Sequence, residues 1–162
     1  MITKKIFVEK DDVLNFVRKK AGNFFTNIII TKPGIKLVVN EVFDSKGEVV
    51  SKLVVEHKAK STVSRINIKG VVGKDSKAVS HSVVSIPKDI EGCDTDLVQK
   101  FLVLHESGFA EAEPSLEVEP SKVKAAHALS ISPINPEELF YLQTRGLTSK
   151  QATKLIVENF LK

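Results

Sequence analysis

Between residues 24 and 131 the chain falls into short β-branched segments separated by turn residues, and no stretch there carries a helical period. FFTNIIIT stops at Lys32-Pro33-Gly34, and IKLVVNEVF stops at Asp44-Ser45-Lys46-Gly47. Both stops are turn chemistries, because glycine, proline and aspartate favour the backbone angles that reverse a chain. EVVSKLVVEH and STVSRINIKGVV follow, then a turn at Gly73-Lys74-Asp75-Ser76, then KAVSHSVVSI, a polar loop at 87–96, LVQKFLVL, SLEVE and VKAAHALSI. In the second of these, Ser64, Ile66, Ile68 and Gly70 alternate with Arg65, Asn67 and Lys69, the period of two that a pleated strand requires. Strand after strand with no helix between them predicts a mainly β fold. Several segments are apolar on both faces, as buried strands or stacked rungs are. No strict repeat is visible, so periodicity alone leaves a β-helix, a sandwich and a barrel equally open.

The flanks read differently. In KDDVLNFVRKK (10–20), Val13, Phe16 and Val17 fall at i, i+3 and i+4, Asp11 or Asp12 can cap, and Arg18, Lys19 and Lys20 suit a helix C-terminus. This predicts a short N-terminal helix. Beyond 134, Asn135 is a good N-cap, Pro136 a good first-turn residue, and Glu137 and Glu138 suit the positive end of the dipole. That helix should end at Gly146. A second should start at Thr148, with a capping box to Gln151 and a stripe of Ala152, Leu155, Ile156 and Phe160. The expected organisation is an N-terminal helical segment (1–22), a β core (23–133) and a C-terminal helical hairpin (134–162).

Composition removes several function classes. Cys93 is the only cysteine, so no internal disulfide and no paired-cysteine metal knuckle can form. Acids flank it in a polar loop, the wrong setting for a reactive thiolate, so Cys93 reads as an exposed loop cysteine without a role. His57, His81, His105 and His127 lack ligand spacing, and no phosphate-binding, dinucleotide-binding, zinc-protease or serine-hydrolase motif is present. An enzyme is not expected. Residues 1–60 carry 12 Lys/Arg against 7 Asp/Glu, but no aromatics interleave with the lysines, so a solvated surface is preferred to nucleic-acid binding. No apolar run suits a signal peptide or a membrane span, and a cytoplasmic location is the default expectation.

The C-terminal part carries a more specific pattern. Pro114, Leu116, Glu117 and Val118 are followed by Val123 and His127, then by Leu139, Phe140, Tyr141, Leu142, Arg145, Gly146, Leu147, Ala152, Ile156, Val157 and Phe160. This order resembles the closing segment of the SufB/SufD family of iron–sulfur cluster assembly proteins. The resemblance is firm over 97–160 and becomes a general β-rich likeness before about residue 60. It implies a right-handed parallel β-helix and a C-terminal helical segment that docks an ABC-type ATPase, SufC. It further implies that subunits pair through their β-helices and that the nascent cluster forms near that interface. By position, His127 matches the SufD-type histidine. Gln99 stands where SufB has its sulfur-accepting cysteine, and Ala128 where SufB has a glutamate. The chain is also shorter than usual members of the family. These departures favour a SufD-like partner subunit over a scaffold that builds a cluster alone.

The residues so implicated have plain structural readings beside the functional ones. His127 shares strand parity with Val123, Ala125, Leu129 and Ile131, which by itself describes a core histidine. The resemblance gives it a role toward iron, since imidazole is a natural iron ligand. His105 and Glu111 are weaker candidates for the same role. Leu139, Phe140 and Leu142 would pin the first helix to the β core, with Arg145 meeting its last carbonyls. Under the resemblance, Leu139, Phe140, Tyr141, Arg145, Leu155 and Phe160 form the ATPase-docking surface. The expected function is therefore a non-enzymatic SUF assembly subunit that pairs with a SufB/SufD-type homologue or with itself. Its cluster would be transient, and no cofactor would be tightly bound. The alternative is an adaptor that regulates the ATPase and no longer contacts clusters.

Overall fold

In the computed structural model, which describes every residue except Ser45, consecutive strands alternate between two five-stranded sheets. In chain order the strands are β1 (Ile2–Val8), β2 (Asp12–Arg18), β3 (Gly22–Ile30), β4 (Lys36–Phe43) and β5 (Glu48–His57). They continue with β6 (Val63–Val72), β7 (Lys77–Ile86), β8 (Asp94–Val103), β9 (Phe109–Val118) and β10 (Lys124–Pro133). The odd strands form one sheet in the order β1-β3-β5-β7-β9 and the even strands the other, and every neighbouring pair is parallel. Successive strands thus wind into a β-solenoid of about four turns. The predicted turns at 32–34 and 73–76 lie between strands. The predicted turn at 44–47 includes Ser45, outside the described residues.

The coils are not equal. Ile2 is in register with Phe24, 22 positions later, whereas Lys77 is in register with Phe109, 32 positions later. The interior is built of residues stacked at the same level on adjacent strands. Ile28, Val55, Val84 and Leu116 make one such column, and Val39, Ile66, Leu97 and His127 make another in the other sheet. Both columns are buried until the last coil, as apolar side chains trapped between two parallel sheets should be. The alternation read in Ser64, Ile66, Ile68 and Gly70 points those residues inward; the first three are fully buried. Gly70 has no room for a side chain because the ring of Phe101 lies against it.

Polar groups take ordered places in this lattice. On the outer face Asn15, Asn40 and Asn67 share one level, and each amide donates to the next, Asn40 to Asn15 at 2.9 Å and Asn67 to Asn40 at 3.2 Å. Inside, Arg18 Nε meets the buried Glu41 at 2.7 Å, and the Ser51 hydroxyl donates to the same oxygen at 2.7 Å. At one corner, Gly34, Ser61 and Gly92 all take left-handed backbone angles, with φ of 77, 58 and 75°. Their amides bond up the stack to Lys60, Glu91 and Lys122 carbonyls at 3.2, 3.0 and 2.8 Å. The turns are a ladder of their own.

The N-terminal helix expected over 10–20 is absent: residues 2–8 and 12–18 are the first coil of the solenoid. Strand parity turns Leu14 and Phe16 inward and leaves Val13 and Val17 on the outer face, where both are exposed. The i, i+3, i+4 pattern was therefore coincidental. Seven registered positions along β4 outweigh a local preference of a few tenths of a kcal/mol per residue.

The C-terminal helices follow their sequence signals. Helix α1 (Pro136–Thr144) is capped by Asn135, whose side chain accepts from the Glu137 amide. Gly146, at φ 91°, ends it, with its amide bonded to Gln143 and that of Leu147 to Leu142. Helix α2 (Ser149–Leu161) starts with the Thr148–Gln151 capping box and buries Ala152 and Ile156 on its inner side. Among the described residues no helix is long and apolar enough to cross a membrane.

Candidate functional site

The last coil is where the fold leaves chemistry exposed. Strands β9 and β10 close their sheets, so each is hydrogen-bonded along one edge only. Their inward rows continue the core columns: Ala110, Ala112, Pro114, Leu116 and Val118 from β9, and Ala125, His127, Leu129 and Ile131 from β10. With no further coil above them the β9 row is only half-buried and the β10 row is exposed. Every residue of β10 is exposed, Leu129 at 45% and Ile131 at 42%.

His127 sits in this rim, on the column above Leu97 and Ile66. Its parity is the one read from the sequence, but its environment is not that of a core histidine. The histidine buried in the core is His57, 0% exposed, with Nδ1 2.7 Å from Thr62 Oγ1 and Nε2 3.0 Å from Ser64 Oγ. Burial pulls its pKa from 6.5 to about 4, so the ring is neutral at physiological pH. Thr62 also donates to the Ala59 carbonyl and lies 3.3 Å from Cys93 Sγ. Cys93 is correspondingly buried, at 2% exposure, which overturns its reading as an exposed loop residue. Its flanking acids Glu91 and Asp94 are half-buried, while the buried thiol donates to the Ala59 carbonyl at 3.7 Å.

The other candidates do not gather around His127. Glu111 lies in the outward row of β9, on the face opposite to the rim's inward row. His105 is in the turn after β8, with Nδ1 2.8 Å from the Ser107 hydroxyl. Among the described residues no group of three or more His, Cys, Asp or Glu is placed to hold a metal ion. His127 is one imidazole in need of co-ligands. Gln99, one level below Leu129, is fully buried with neither amide atom hydrogen-bonded.

The helical hairpin offers a second exposed surface. Helix α1 buries none of its residues: Leu139 and Leu142 are half-buried, and Phe140 is 67% exposed. Phe140 therefore does not pin the helix, contrary to the sequence expectation. Tyr141 and Leu155 are also exposed, and Phe160 is half-buried. The Arg145 side chain meets Tyr141 rather than the helix carbonyls, its guanidinium 5.2 Å from the ring centroid and 3.2 Å from the hydroxyl. What the sequence did not reveal was the rim itself. The parity of Leu129, Ile131 and Leu116 was readable, but not that the ladder would stop above them.

Comparison with known proteins adds a family to this geometry. Residues 18–160 match the family described as "SUF system FeS cluster assembly, SufBD core domain". An "Iron-sulfur cluster assembly SufBD family protein" of Staphylococcus epidermidis (strain ATCC 12228) is 26% identical over 170 residues, covering 100% of this chain and 36% of that protein. A protein of the same description from Staphylococcus aureus (strain USA300) gives the same identity and coverage. The chain thus spans about a third of the length of these curated relatives.

Proposed function

Because the chain belongs to the SufBD core family of the SUF iron–sulfur cluster assembly system, we propose that it acts there as a non-enzymatic partner subunit. It would pair through the last coil and dock an ABC-type ATPase of the SufC kind through α1 and α2. Family membership itself implies a role in iron–sulfur cluster assembly. The observation that carries the finer reading is the uncovered rim. A row of Ala125, Leu129 and Ile131 exposed beside two free strand edges is costly in water and favours a protein partner.

In this reading the cluster is cargo. His127 would supply one imidazole from the rim, and the remaining ligands would come from the paired subunit, since Gln99 and Ala128 stand where a cysteine and a glutamate would serve. Neutral imidazole nitrogen suits iron, and a rim position lets a cluster form and leave without unfolding the solenoid. The exposed Phe140, Tyr141 and Leu155, with Leu139, Arg145 and Phe160 alongside, would be the ATPase contact, an amphipathic helix surface of the kind that seats in a groove.

Co-expression with a SufC-type ATPase, followed by size exclusion, tests the docking. The complex should persist with the native chain and be lost with Tyr141→Glu or Leu155→Glu; unchanged binding would refute it. Anaerobic reconstitution with iron and sulfide tests the cargo role, with His127→Ala expected to weaken cluster absorbance in the complex. Cluster absorbance indifferent to His127 favours the adaptor reading.

A further inference from the structure

The two ends of the solenoid are built differently, and the difference lies on their inward rows. At the last coil the inward rows described above contain no Asp, Glu, Lys or Arg. At the first coil the corresponding rows carry Lys4 on β1, level with the buried Thr26, and Asp12 and Arg18 on β2, level with the buried Leu37 and Phe43. We propose that the first coil is a built-in end cap, which keeps β-strands of other molecules from adding to the free edges of β1 and β2. This device does not depend on what covers the last coil.

The charges roof the interior at this end. Phe16 is the aromatic ring on the inward row of β2, and it has a cation from each strand beside it. The Lys4 ammonium lies 5.4 Å from its centroid and the Arg18 guanidinium 5.3 Å. Arg18 also lies 4.5 Å from the Phe24 ring and is anchored to Glu41 in the coil beyond. A further strand stacked on β1 would take the exposed Lys4 ammonium out of water, and removing an ion from water costs several kcal/mol. A merely solvated surface would place these charges on the outward rows. Here they stand on the rows that elsewhere hold the core.

The backbone edge is closed in the same coil. Outward residues of the even sheet turn their amides toward the preceding coil, as Val63 does to the Ile35 carbonyl and Asp94 to that of Thr62. The Lys36 amide, of the same parity, donates instead to the Asp11 carboxylate at 2.8 Å. The Val13 amide, facing the open edge of β2, donates to Asp12 Oδ1 at 2.8 Å. The aspartates that read from sequence as helix caps are therefore caps of a sheet edge. Strands β1 and β2 are seven residues each, against ten for β9 and β10. Short edge strands and inward-pointing charges are means by which sheets resist edge-to-edge addition.

The test replaces two of the inward charges in the full chain and leaves the Arg18–Glu41 pair intact. In analytical ultracentrifugation the native chain should keep one size from about 5 to about 100 µM, whereas Lys4→Ile with Asp12→Val should grow, its average mass at least about doubling over that range. Lys4→Ile alone, at an exposed position, should grow in the same direction and serves if the double variant does not fold. Hydrogen exchange locates the contact. The amides of Thr3, Lys5 and Phe7 face the open edge of β1, by the parity with which Lys77 donates to Gly47 and Phe109 to Ser76. They should exchange freely in the native chain and become protected in the enlarged variant. Lys4→Glu with Asp12→Lys, which exchanges the charges without removing them, should stay at the native size. A variant of native size overturns the cap, as does growth that leaves the β1 amides unprotected. Equal growth of the charge-exchanged protein overturns it too, and so does protection of those amides in the native chain.

Discussion

Acidification should weaken this fold through its buried histidine, His57. The ring is fully buried, and its neighbours fix its neutral form. Thr62 donates its hydroxyl hydrogen to the Ala59 carbonyl at 3.1 Å, so Nδ1 must donate to Thr62 at 2.7 Å. Nε2 is then the acceptor, taking the Ser64 hydroxyl hydrogen at 3.0 Å, while Ser64 accepts from Thr95 at 2.6 Å. A second ring proton would face a hydroxyl already pointing its hydrogen at the ring, and no carboxylate bonds to either ring nitrogen. Desolvation accordingly holds the pKa at about 4 against 6.5 for a free histidine. Below pH 6.5 the unfolded chain takes up a proton that the folded chain refuses, so stability falls with falling pH and levels off near pH 4. A difference of this size amounts to roughly 3 kcal/mol over the window. Urea unfolding of the native chain and of His57→Gln at pH 7.5, 6.5, 5.5 and 4.5 measures it. The Glu56 and Asp94 carboxyls, held low by hydrogen bonds to Lys58 and Arg65, titrate below this window and cancel in the difference between the two proteins. The native chain should lose about 2–3 kcal/mol more than the variant between pH 6.5 and 4.5. Equal losses in the two proteins would refute the reasoning.

Two substitutions probe the interior elsewhere. Arg18→Ala strands the fully buried Glu41 carboxylate and removes the guanidinium that sits 4.5 Å from the Phe24 ring and 3.1 Å from Thr26 Oγ1. It should cost roughly 3–5 kcal/mol by denaturant unfolding, whereas Arg18→Leu combined with Glu41→Leu should recover most of that. Gly70→Ala drives a methyl into the Phe101 ring, which is itself held edge-on to Phe43 at 5.5 Å. A loss of about 1–3 kcal/mol is expected, with partial recovery on adding Phe101→Leu; a neutral Gly70→Ala would show that the coil can shift to admit it.

The strand character of 24–131 was plain from its β-branched runs and turn residues, and the helix caps at Asn135 and Thr148 were plain from local chemistry. The parallel β-helix that the family resemblance implied is borne out, while periodicity alone left it open because the coils taper. A coil that grows from 22 to 32 residues leaves no fixed period in the chain. The signal that persists is conformational: the left-handed corner recurs at Gly34, Ser61 and Gly92, but one of the three is a serine and the spacing changes between them. The first coil misled for a related reason. Val13, Phe16 and Val17 satisfy a helical stripe as well as any amphipathic segment does, and only the presence of β4 alongside makes the extended form the better one.

Of the candidate site, the strand geometry was legible and the exposure was not. Alternation in 123–131 set His127, Leu129 and Ile131 on one face, and that face does point along the core columns. Alternation describes what a strand offers, though, and burial depends on what lies above it. The same residue pattern is core in β6 and β8, each flanked by two strands, and rim in β10, which has only one. A column that runs Val39, Ile66, Leu97, His127 and then meets water is an interior cut short, and such a surface favours a partner that continues it. His127 thus stands on a core column but in the exposed rim, and under the proposed pairing its chemistry should appear only when a partner covers it.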